Sequence, residues 1–126
     1  MRFPYDLDYF PPAPGVKIQL GMLDEAFTVG PLQALVDTGA DVTLVPQHYI
    51  QLLKVQVDDR KYLRTQWDDR KVVDIHFLDV GIGDIRLPCV EVVADEWGET
   101  VIVGRNILNK LAIMLDGPKQ VLEILD

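Results

Sequence analysis

Cysteine and histidine are scarce in this sequence, and their scarcity excludes two common ways of stabilising a small fold. Cys89 is the one cysteine, so no disulfide forms within the chain. With His48 and His76 as the only histidines, the chain falls short of the four ligands of a structural zinc site. We therefore expect a protein without a metal or other cofactor. The apolar run 87–90 predicts that the Cys89 thiol is a buried packing group and not a nucleophile.

Long apolar runs and an excess of basic residues are also lacking. No apolar stretch approaches the roughly 20 residues that span a bilayer, and residues 1–8 lack the basic and apolar regions of a signal peptide. The formal net charge is −8, with 20 acidic residues against 12 basic ones. This balance argues against nucleic acid as the main partner, because phosphate binding needs a basic face. We expect a cytoplasmic protein without a membrane span, whose identical copies repel each other at neutral pH.

The chain does contain enough apolar residues, 48% of 126, for one compact domain. Residues 1–15 hold four of the eight prolines together with several aromatics, which excludes an ordinary helix or a central strand. We expect this segment to be an extended arm, either docked as a strand or polyproline-like. A proline-motif ligand for another protein is the alternative. Residues 16–126 then form the folded domain.

Most segments after the arm have the alternation or the short apolar runs of β-strands. Predicted strands cover residues 16–20, 26–29, 32–36, 42–45, 72–80, 85–94, 101–103, 112–115 and 121–125. Residues 30–31, Gly-Pro, are expected to separate the second strand from the third. Residues 47–53 are compatible with a short helix, and the apolar spacing of residues 105–111 predicts one late helix. Residues 54–71 are polar and charged. Many short strands and one late helix predict an all-β, barrel-like domain.

Asp37 is the residue that points most strongly to chemistry. It follows the apolar pair Leu35-Val36 and opens the tripeptide Asp37-Thr38-Gly39. That tripeptide alone is ordinary turn chemistry, since Asp caps backbone donors and Gly accepts positive φ. A carboxylate buried at the end of a strand costs several kcal/mol unless it is paired or neutralised. Its position therefore favours a catalytic function over a turn.

A second motif lies in residues 101–108, where an apolar strand is followed by Gly104, Arg105 and a helix start. Together and in this order, residues 35–41 and 101–108 resemble the retropepsins, the single-domain aspartic proteases of retroviruses and their cellular and bacterial relatives. The resemblance covers about residues 16–117. It implies a closed β-barrel-like acid-protease fold with one short C-terminal helix. It also implies an aspartic endopeptidase that hydrolyses polypeptides.

The resemblance implies a function for each matching residue of the first motif. Asp37 matches the catalytic aspartate, and Thr38 matches the residue whose hydroxyl bonds across to the loop of a partner subunit. Gly39 matches the glycine that lets the backbone approach the substrate. Ala40 and Asp41 match positions that line the substrate cleft.

Two further residues are assigned by the same resemblance. Arg105 matches an arginine that pairs with the aspartate at position 41 and braces the loop, and a guanidinium fork suits that task. The alternative for Arg105 is a solvated cation at a helix start. Viral relatives cover the cleft with a glycine-rich flap, whereas residues 62–73 contain no glycine. Trp67 is either the aromatic at the flap tip, over a substrate side chain, or a residue packed on the barrel wall.

The mechanism implied by the resemblance needs two aspartates, one ionised to activate water and one protonated to donate to the scissile carbonyl. Asp79 opens the loose form Asp-Val-Gly but lacks a hydroxyl at the middle position, and Asp116 belongs to a hairpin turn. One chain therefore supplies one usable aspartate. We expect a C2 homodimer with terminal strands at the interface, and activity that rises as pH falls below neutral.

Two other functions remain open at this point. The first is a non-catalytic module of the same fold that binds extended peptides or dimerises. The second is a purely structural β-domain. The intact tripeptide at Asp37 favours the enzyme, while the unusual flap sequence keeps the binding module open.

Overall fold

The computed structural model describes residues 1–64 and 69–125, so the predicted flap-tip residue Trp67 lies outside the described residues. The strands in the described part are β1 Arg2–Pro4, β2 Gly15–Gly21, β3 Val29–Val36, β4 Thr43–Pro46, β5 Asp59–Arg64, β6 Arg70–Ile82, β7 Ile85–Asp95, β8 Val101–Val103, β9 Ala112–Asp116 and β10 Val121–Leu125. The helices there are α1 Gln47–Leu53 and α2 Arg105–Leu108. Neither is long and apolar enough to cross a membrane.

Six of the strands close into a barrel. They are hydrogen-bonded in the order β2-β3-β8-β4-β7-β6, and β6 pairs again with β2 to complete the circle. The alternation of β2 explains its place, since Val16, Ile18 and Leu20 are buried in the core while Lys17 is exposed. Burial of a large aliphatic side chain contributes about 1.5–3 kcal/mol. The all-β, barrel-like fold predicted from the sequence is confirmed.

The two ends of the chain meet in a separate three-stranded sheet, in the order β1-β10-β9. Phe3 lies opposite Leu122 in the antiparallel β1–β10 pair, and Leu122 and Ile124 are buried against the barrel core. The start of the arm is therefore docked as strand β1, whereas Asp6 and Ala13 pair antiparallel with each other, so that the residues between them turn back. β1 lies at the sheet edge, where Pro4 is tolerated because its missing N–H faces no partner strand.

β3 spans Val29–Val36 as one strand, and its pairing with β2 shifts register at Gly30-Pro31, where the sequence predicts a break between two strands. The neighbour on the β8 side pairs only with residues 34–36, so Pro31 removes no hydrogen bond from a central ladder. Gly30 has a φ of +106°, and a Cβ there would stand 2.6 Å from the carbonyl oxygen of Ile18. Glycine is therefore what lets β3 stay against β2 at this point.

The prediction that Cys89 is buried is wrong. A bulge between Leu78 and Val80 shifts the register of β6 against β7, Cys89 adopts a φ of +51°, and the residue is exposed. Its N–H instead donates to Oδ1 of Asp79 at 2.9 Å. The apolar neighbours of Cys89 gave a wrong prediction of burial because a bulge breaks the strict alternation of faces along a strand.

One of the two helices of the described part, α2, differs from the sequence prediction, and the other, α1, has the predicted bounds. α2 ends at Leu108, three residues earlier than the predicted span 105–111. α1 occupies the possible helix at residues 47–53 and buries Ile50 and Leu53. A short α2 is sufficient for its place in the fold, since it only needs to carry Arg105 and Asn106 from β8 towards the loop after β3.

Candidate active site

Asp37 lies where β3 leaves the barrel sheet. β3 and β8 run parallel there, with Val36 opposite Val103, and the N–H of Asp37 donates to the carbonyl of Val103 at 3.0 Å. Val36 and Val103 are buried, so core packing fixes the backbone that carries the aspartate. The following loop, residues 37–42, is free to shape a site at the barrel edge.

The Asp37 side chain is exposed in the single chain. Its Oδ1 accepts a hydrogen bond from the N–H of Gly39 at 2.8 Å, and the N–H of Ala40 donates to the carbonyl of Asp37 at 3.2 Å. Within the described residues Oδ2 accepts no hydrogen bond. The carboxylate of Asp37 is therefore not buried in the single chain, contrary to the expectation from its apolar neighbours. The loop orients Asp37 and leaves half of its acceptor capacity available.

Arg105, at the start of α2, reaches back to this loop at three points. Its backbone N–H donates to the carbonyl of Ala40 at 2.8 Å, and its Nη1 donates to the carbonyl of Thr38 at 2.8 Å. Its Nη2 makes an ion pair with Oδ1 of Asp41. The side chains of Arg105 and Asp41 are 44% and 82% exposed, so the pair contributes little to folding free energy. Its geometric effect is to hold two loop residues with one planar fork.

A buried hydroxyl beneath the loop was not anticipated from the sequence. Thr43 is 1% exposed, and its Oγ1 donates to Oδ1 of Asn106 at 2.8 Å while it accepts from the N–H of Gly104 at 3.2 Å. Asn106 in turn donates from Nδ2 to the carbonyl of Glu91 at 2.8 Å. A Cβ on Gly104 would stand 2.4 Å from the carbonyl oxygen of Val42. The sequence signal for this network is the tripeptide Gly104-Arg105-Asn106 after β8. The family resemblance assigns a function only to Arg105 in this tripeptide.

A cavity of about 210 Å³ opens beside the loop. On one side it is lined by the loop residues Gly39, Ala40 and Asp41, of which the family resemblance predicts Ala40 and Asp41 to line the substrate cleft. The other lining residues, for which the sequence predicts no function, are Val42, Leu44, Leu63 and Arg64. Its mostly apolar wall and polar rim are of the kind that accepts one side chain of a bound chain.

The paired strand segments 59–64 of β5 and 70–75 of β6, which we call the flap hairpin, lie at one side of this cavity, where Leu63 and Arg64 line it. Its inward face packs Val73 and Ile75 with Leu63 in a small apolar cluster. Lys61 donates from Nζ to Glu91 at 2.7 Å, and this hydrogen bond together with the charge of Glu91 raises the pKa of the Lys61 ammonium. The hairpin is thus anchored to β7 at its base.

Asp79, the other Asp-x-Gly aspartate, lies in a different environment. It is 1% exposed; Oδ1 accepts from the N–H of Cys89 and Oδ2 from the N–H of Asp24, both at 2.9 Å. Arg86 donates to Oδ2 from Nε at 2.9 Å and from Nη2 at 2.8 Å. Burial alone raises the pKa of Asp79, but the two N–H donors and the guanidinium outweigh it and leave the pKa below its usual value. The partners of this carboxylate are therefore all within its own chain.

Metal chemistry has no candidate ligand set in residues 1–64 and 69–125, where no three His, Cys, Asp or Glu side chains come close enough to hold an ion. The groups that the structure brings together at the barrel edge are Asp37, the loop that follows it, and Arg105. This arrangement offers an oriented, water-accessible carboxylate beside an apolar cavity.

Comparison with known proteins gives matches that agree with this geometry. Residues 28–110 match a family model described as "gag-polyprotein putative aspartyl protease". No curated protein matches the chain significantly. A retropepsin-like aspartic protease from Rickettsia conorii aligns over 98% of this chain and 88% of its own, with a TM-score of 0.70 and 16% identity.

Two further structures are similar. The EIAV protease, in complex with the inhibitor HBY-793, covers 86% of this chain and 93% of its own, with a TM-score of 0.58 and 17% identity. The retroviral protease-like domain of Ddi1 from Leishmania major covers 89% and 87%, with a TM-score of 0.54 and 19% identity. At these identities the structures show the fold alone. Because the family model spans most of the chain, the protein belongs to the retropepsin-like aspartic protease family.

Proposed function

We propose that the protein is an aspartic endopeptidase, active as a homodimer, in which Asp37 of each subunit supplies one carboxyl of the catalytic pair. The observation that carries this proposal is the state of Asp37 in the single chain. Its backbone is fixed by Val103, its Oδ1 by Gly39, and the carboxylate is exposed with Oδ2 unbonded within the described residues. The Asp37 carboxylate is therefore held in one orientation, and its Oδ2 remains available as a hydrogen-bond acceptor.

A second copy provides what one chain lacks. Two carboxyls about 3 Å apart cannot both ionise, so one Asp37 keeps a proton while the other takes a proton from a bound water. That water attacks the peptide carbonyl carbon, and the protonated carboxyl donates to the carbonyl oxygen. As the C–N bond breaks, the proton taken from water passes to the leaving amine, and a hydroxyl of the tetrahedral intermediate returns its proton to the other carboxylate, which restores the pair.

The residues around Asp37 fit this dimer. Thr38 is exposed beside it, where its hydroxyl is available to the loop of the second copy. Arg105 fixes the carbonyl of Thr38, which sets the direction in which the Thr38 side chain leaves the loop. Met114 and Leu115 on β9 are 43% and 45% exposed. Because β9 is an edge strand of the terminal sheet, it offers apolar surface and an unpaired edge to a second copy.

The cavity beside the loop supports a polypeptide as substrate. An extended chain across Asp37 would place one side chain between Val42, Leu44 and Leu63. The flap hairpin lies on the other side of this cavity and excludes water from a bound chain. Apolar side chains next to the scissile bond are expected to be preferred.

Incubation with an unfolded polypeptide mixture between about pH 3 and about pH 8 tests the proposal, because the acid-base pair needs one proton. We expect cleavage that increases below neutral pH, is blocked by a peptide transition-state mimic, and is lost in Asp37→Asn. The matched control is Asp84→Asn, which removes an exposed carboxylate at the β6–β7 turn and should cleave like the wild type. No cleavage at any pH would contradict the proposal and favour a peptide-binding module of the same fold.

A further inference from the structure

Trp97 is a large aromatic residue whose side chain the fold leaves in water. It lies in the connection between β7 and β8 and is 80% exposed. The turn that carries it is ordered, because Oδ1 of Asp95 accepts hydrogen bonds from the N–H groups of Trp97 at 3.0 Å and of Gly98 at 2.9 Å. The backbone at Trp97 is therefore held in place, although its side chain is not buried.

The indole of Trp97 lies beside the inward face of the flap hairpin. The Nζ of Lys71 is 5.3 Å from the centre of an indole ring, a distance typical of a cation–π contact. Lys71 is the cross-strand partner of Leu63, and such partners project to the same face of a sheet. That face also packs Val73. The contact with Lys71 therefore places Trp97 on the side of the hairpin that borders the candidate active site.

Two adjacent cavities connect this contact with the loop after β3. A small cavity of about 60 Å³ has Lys71 and Asp95 in its lining. Leu44 and Leu63 also line it, and the same two leucines line the cavity of about 210 Å³ beside the loop. A continuous path along the barrel edge therefore runs from the candidate active site to Trp97.

An extended polypeptide in the larger cavity would reach the smaller one. Side chains two positions apart on a strand project to the same face, about 6.5–7 Å from each other. With one side chain in the cavity beside the loop, the side chain two positions further out would meet the small cavity. Since this cavity holds only about 60 Å³, a large side chain would extend over its rim towards Trp97.

We propose that Trp97 is a specificity-determining residue, whose indole stacks on an aromatic side chain of the bound polypeptide at the outer end of the cleft. The expected substrate pattern is apolar-x-aromatic, with the apolar residue in the cavity beside the loop. Selection among substrates rests on the proposed protease function, whereas the stacking on a bound peptide does not.

The surroundings of Trp97 favour an aromatic side chain over a charged one. Lys71 and the carboxylates of Asp95 and Glu96 line the same small cavity, so charge alone selects neither an acidic nor a basic side chain there. Lys71 contacts the indole at one place, and the 80% exposure of Trp97 leaves most of its surface to a ligand. Two aromatic rings in offset or edge-to-face contact stabilise each other beyond the area that they bury.

Fluorine NMR of the Asp37→Asn variant tests the stacking without cleavage. Labelling with 5-fluorotryptophan gives one signal for each of the two tryptophans, and Trp97→Phe in the same background identifies the signal of Trp97. A peptide with the apolar-x-aromatic pattern should shift this signal, because a stacked ring changes its shielding. The same peptide with alanine at the aromatic position should bind about tenfold more weakly.

Steady-state kinetics separates Trp97 from other exposed aromatic residues. For the patterned substrate, Trp97→Ala should lower kcat/KM about tenfold, mainly through KM, whereas the change should be less than about twofold for the substrate with alanine at the aromatic position. Trp97→Phe should keep most of the selectivity, since a benzene ring can also stack. The matched control is Phe10→Ala, which removes a fully exposed aromatic side chain of the arm and should leave both rates unchanged.

Lys71→Met distinguishes recognition of the substrate from anchoring of the flap hairpin. The substitution removes the cation but keeps a flexible, unbranched side chain. The selectivity for the aromatic residue should therefore stay within about twofold of the wild type. If Trp97 acted only by holding Lys71, this variant would lose the selectivity as Trp97→Ala does, and the proposal would fail.

Several other results would overturn the proposal. They are an unchanged Trp97 signal when the peptide is bound, equal losses of kcat/KM for both substrates in Trp97→Ala, a preference for the aromatic residue that survives in Trp97→Ala, and no binding to Asp37→Asn. If the patterned peptide shifts the Trp97 signal while the wild type cleaves nothing, the protease proposal fails and the aromatic contact stands.

Discussion

Asp37 and Asp79 both begin an Asp-x-Gly tripeptide, yet the barrel places the two carboxylates in opposite environments. Asp79 is 1% exposed, and both of its oxygens accept hydrogen bonds, from two N–H groups and from Arg86. Asp37 is exposed and has one backbone donor on Oδ1. A carboxylate whose partners all belong to its own chain stabilises the fold. One that is oriented but left open is available to water, substrate or a second copy.

The substitution Asp37→Asn should give the largest difference between an effect on activity and an effect on stability. Loss of the ionisable oxygen should lower kcat/KM at least about a thousandfold, because the acid-base pair acts as a unit. The free energy of unfolding should change by less than about 0.5 kcal/mol, as is usual for an exposed site. Peptide hydrolysis and urea unfolding measure the two effects. An activity loss below about tenfold would place Asp37 outside the chemistry.

Asp79→Ala should show the reverse behaviour. It removes the partner of Arg86 and of two inward N–H groups, so we expect a loss of about 2–4 kcal/mol in the free energy of unfolding. The folded fraction should keep its activity. Asp84→Ala, at the exposed turn of the same β6–β7 hairpin, is the control and should cost less than about 0.5 kcal/mol. Equal losses for both variants would contradict the structural importance of Asp79.

Arg105→Lys tests whether the loop around Asp37 needs a fork or only a positive charge. A single ammonium cannot hold the carbonyl of Thr38 and Asp41 with the same geometry, so kcat should fall about tenfold while stability changes by less than about 1 kcal/mol. Asp41→Asn keeps an oxygen acceptor and should have the smaller effect. Steady-state kinetics beside thermal unfolding provides the check. Unchanged kcat in the lysine variant would show that charge alone suffices.

The pH dependence of stability gives the smallest effect. Burial raises the pKa of Asp79, but the N–H groups of Cys89 and Asp24 and the charge of Arg86 hold it below its ordinary value of 3.8. A carboxyl with a lowered folded-state pKa contributes its full stability above about pH 4 and loses it as pH falls through that pKa. The stability difference between wild type and Asp79→Ala should therefore shrink in strong acid. A difference that grows there would reverse the assigned sign.

The sequence was sufficient to predict the barrel class, the closing β9–β10 hairpin and the assignment of Asp37 to a loop after an apolar strand. These follow from local information, namely alternation along strands and turn residues between them. The pairing of Arg105 with Asp41 was implied by the family resemblance, and the structure brings these side chains into contact. Their catalytic importance remains a prediction.

Features that depend on non-local pairing were not predictable in the same way. Residues 59–64 form a strand although they are charged, because the neighbouring β6 supplies the ladder and one face of an edge strand stays in water. Cys89 is exposed because a bulge at Pro88-Cys89 changes its face, and a proline in a strand is equally compatible with an edge position. Thr43 at the start of β4 and Asn106 in α2 meet although they are 63 positions apart, a separation at which periodicity carries no information.

Mixing wild type with Asp37→Asn, under conditions in which subunits exchange, tests the central claim most directly. Total chain concentration is held constant and activity is measured as the wild-type fraction falls. If both subunits must supply Asp37, activity follows the square of that fraction, and an equal mixture keeps about a quarter of the wild-type rate. A linear decline, with about half the rate retained in the equal mixture, would mean that one Asp37 suffices and would contradict the shared site.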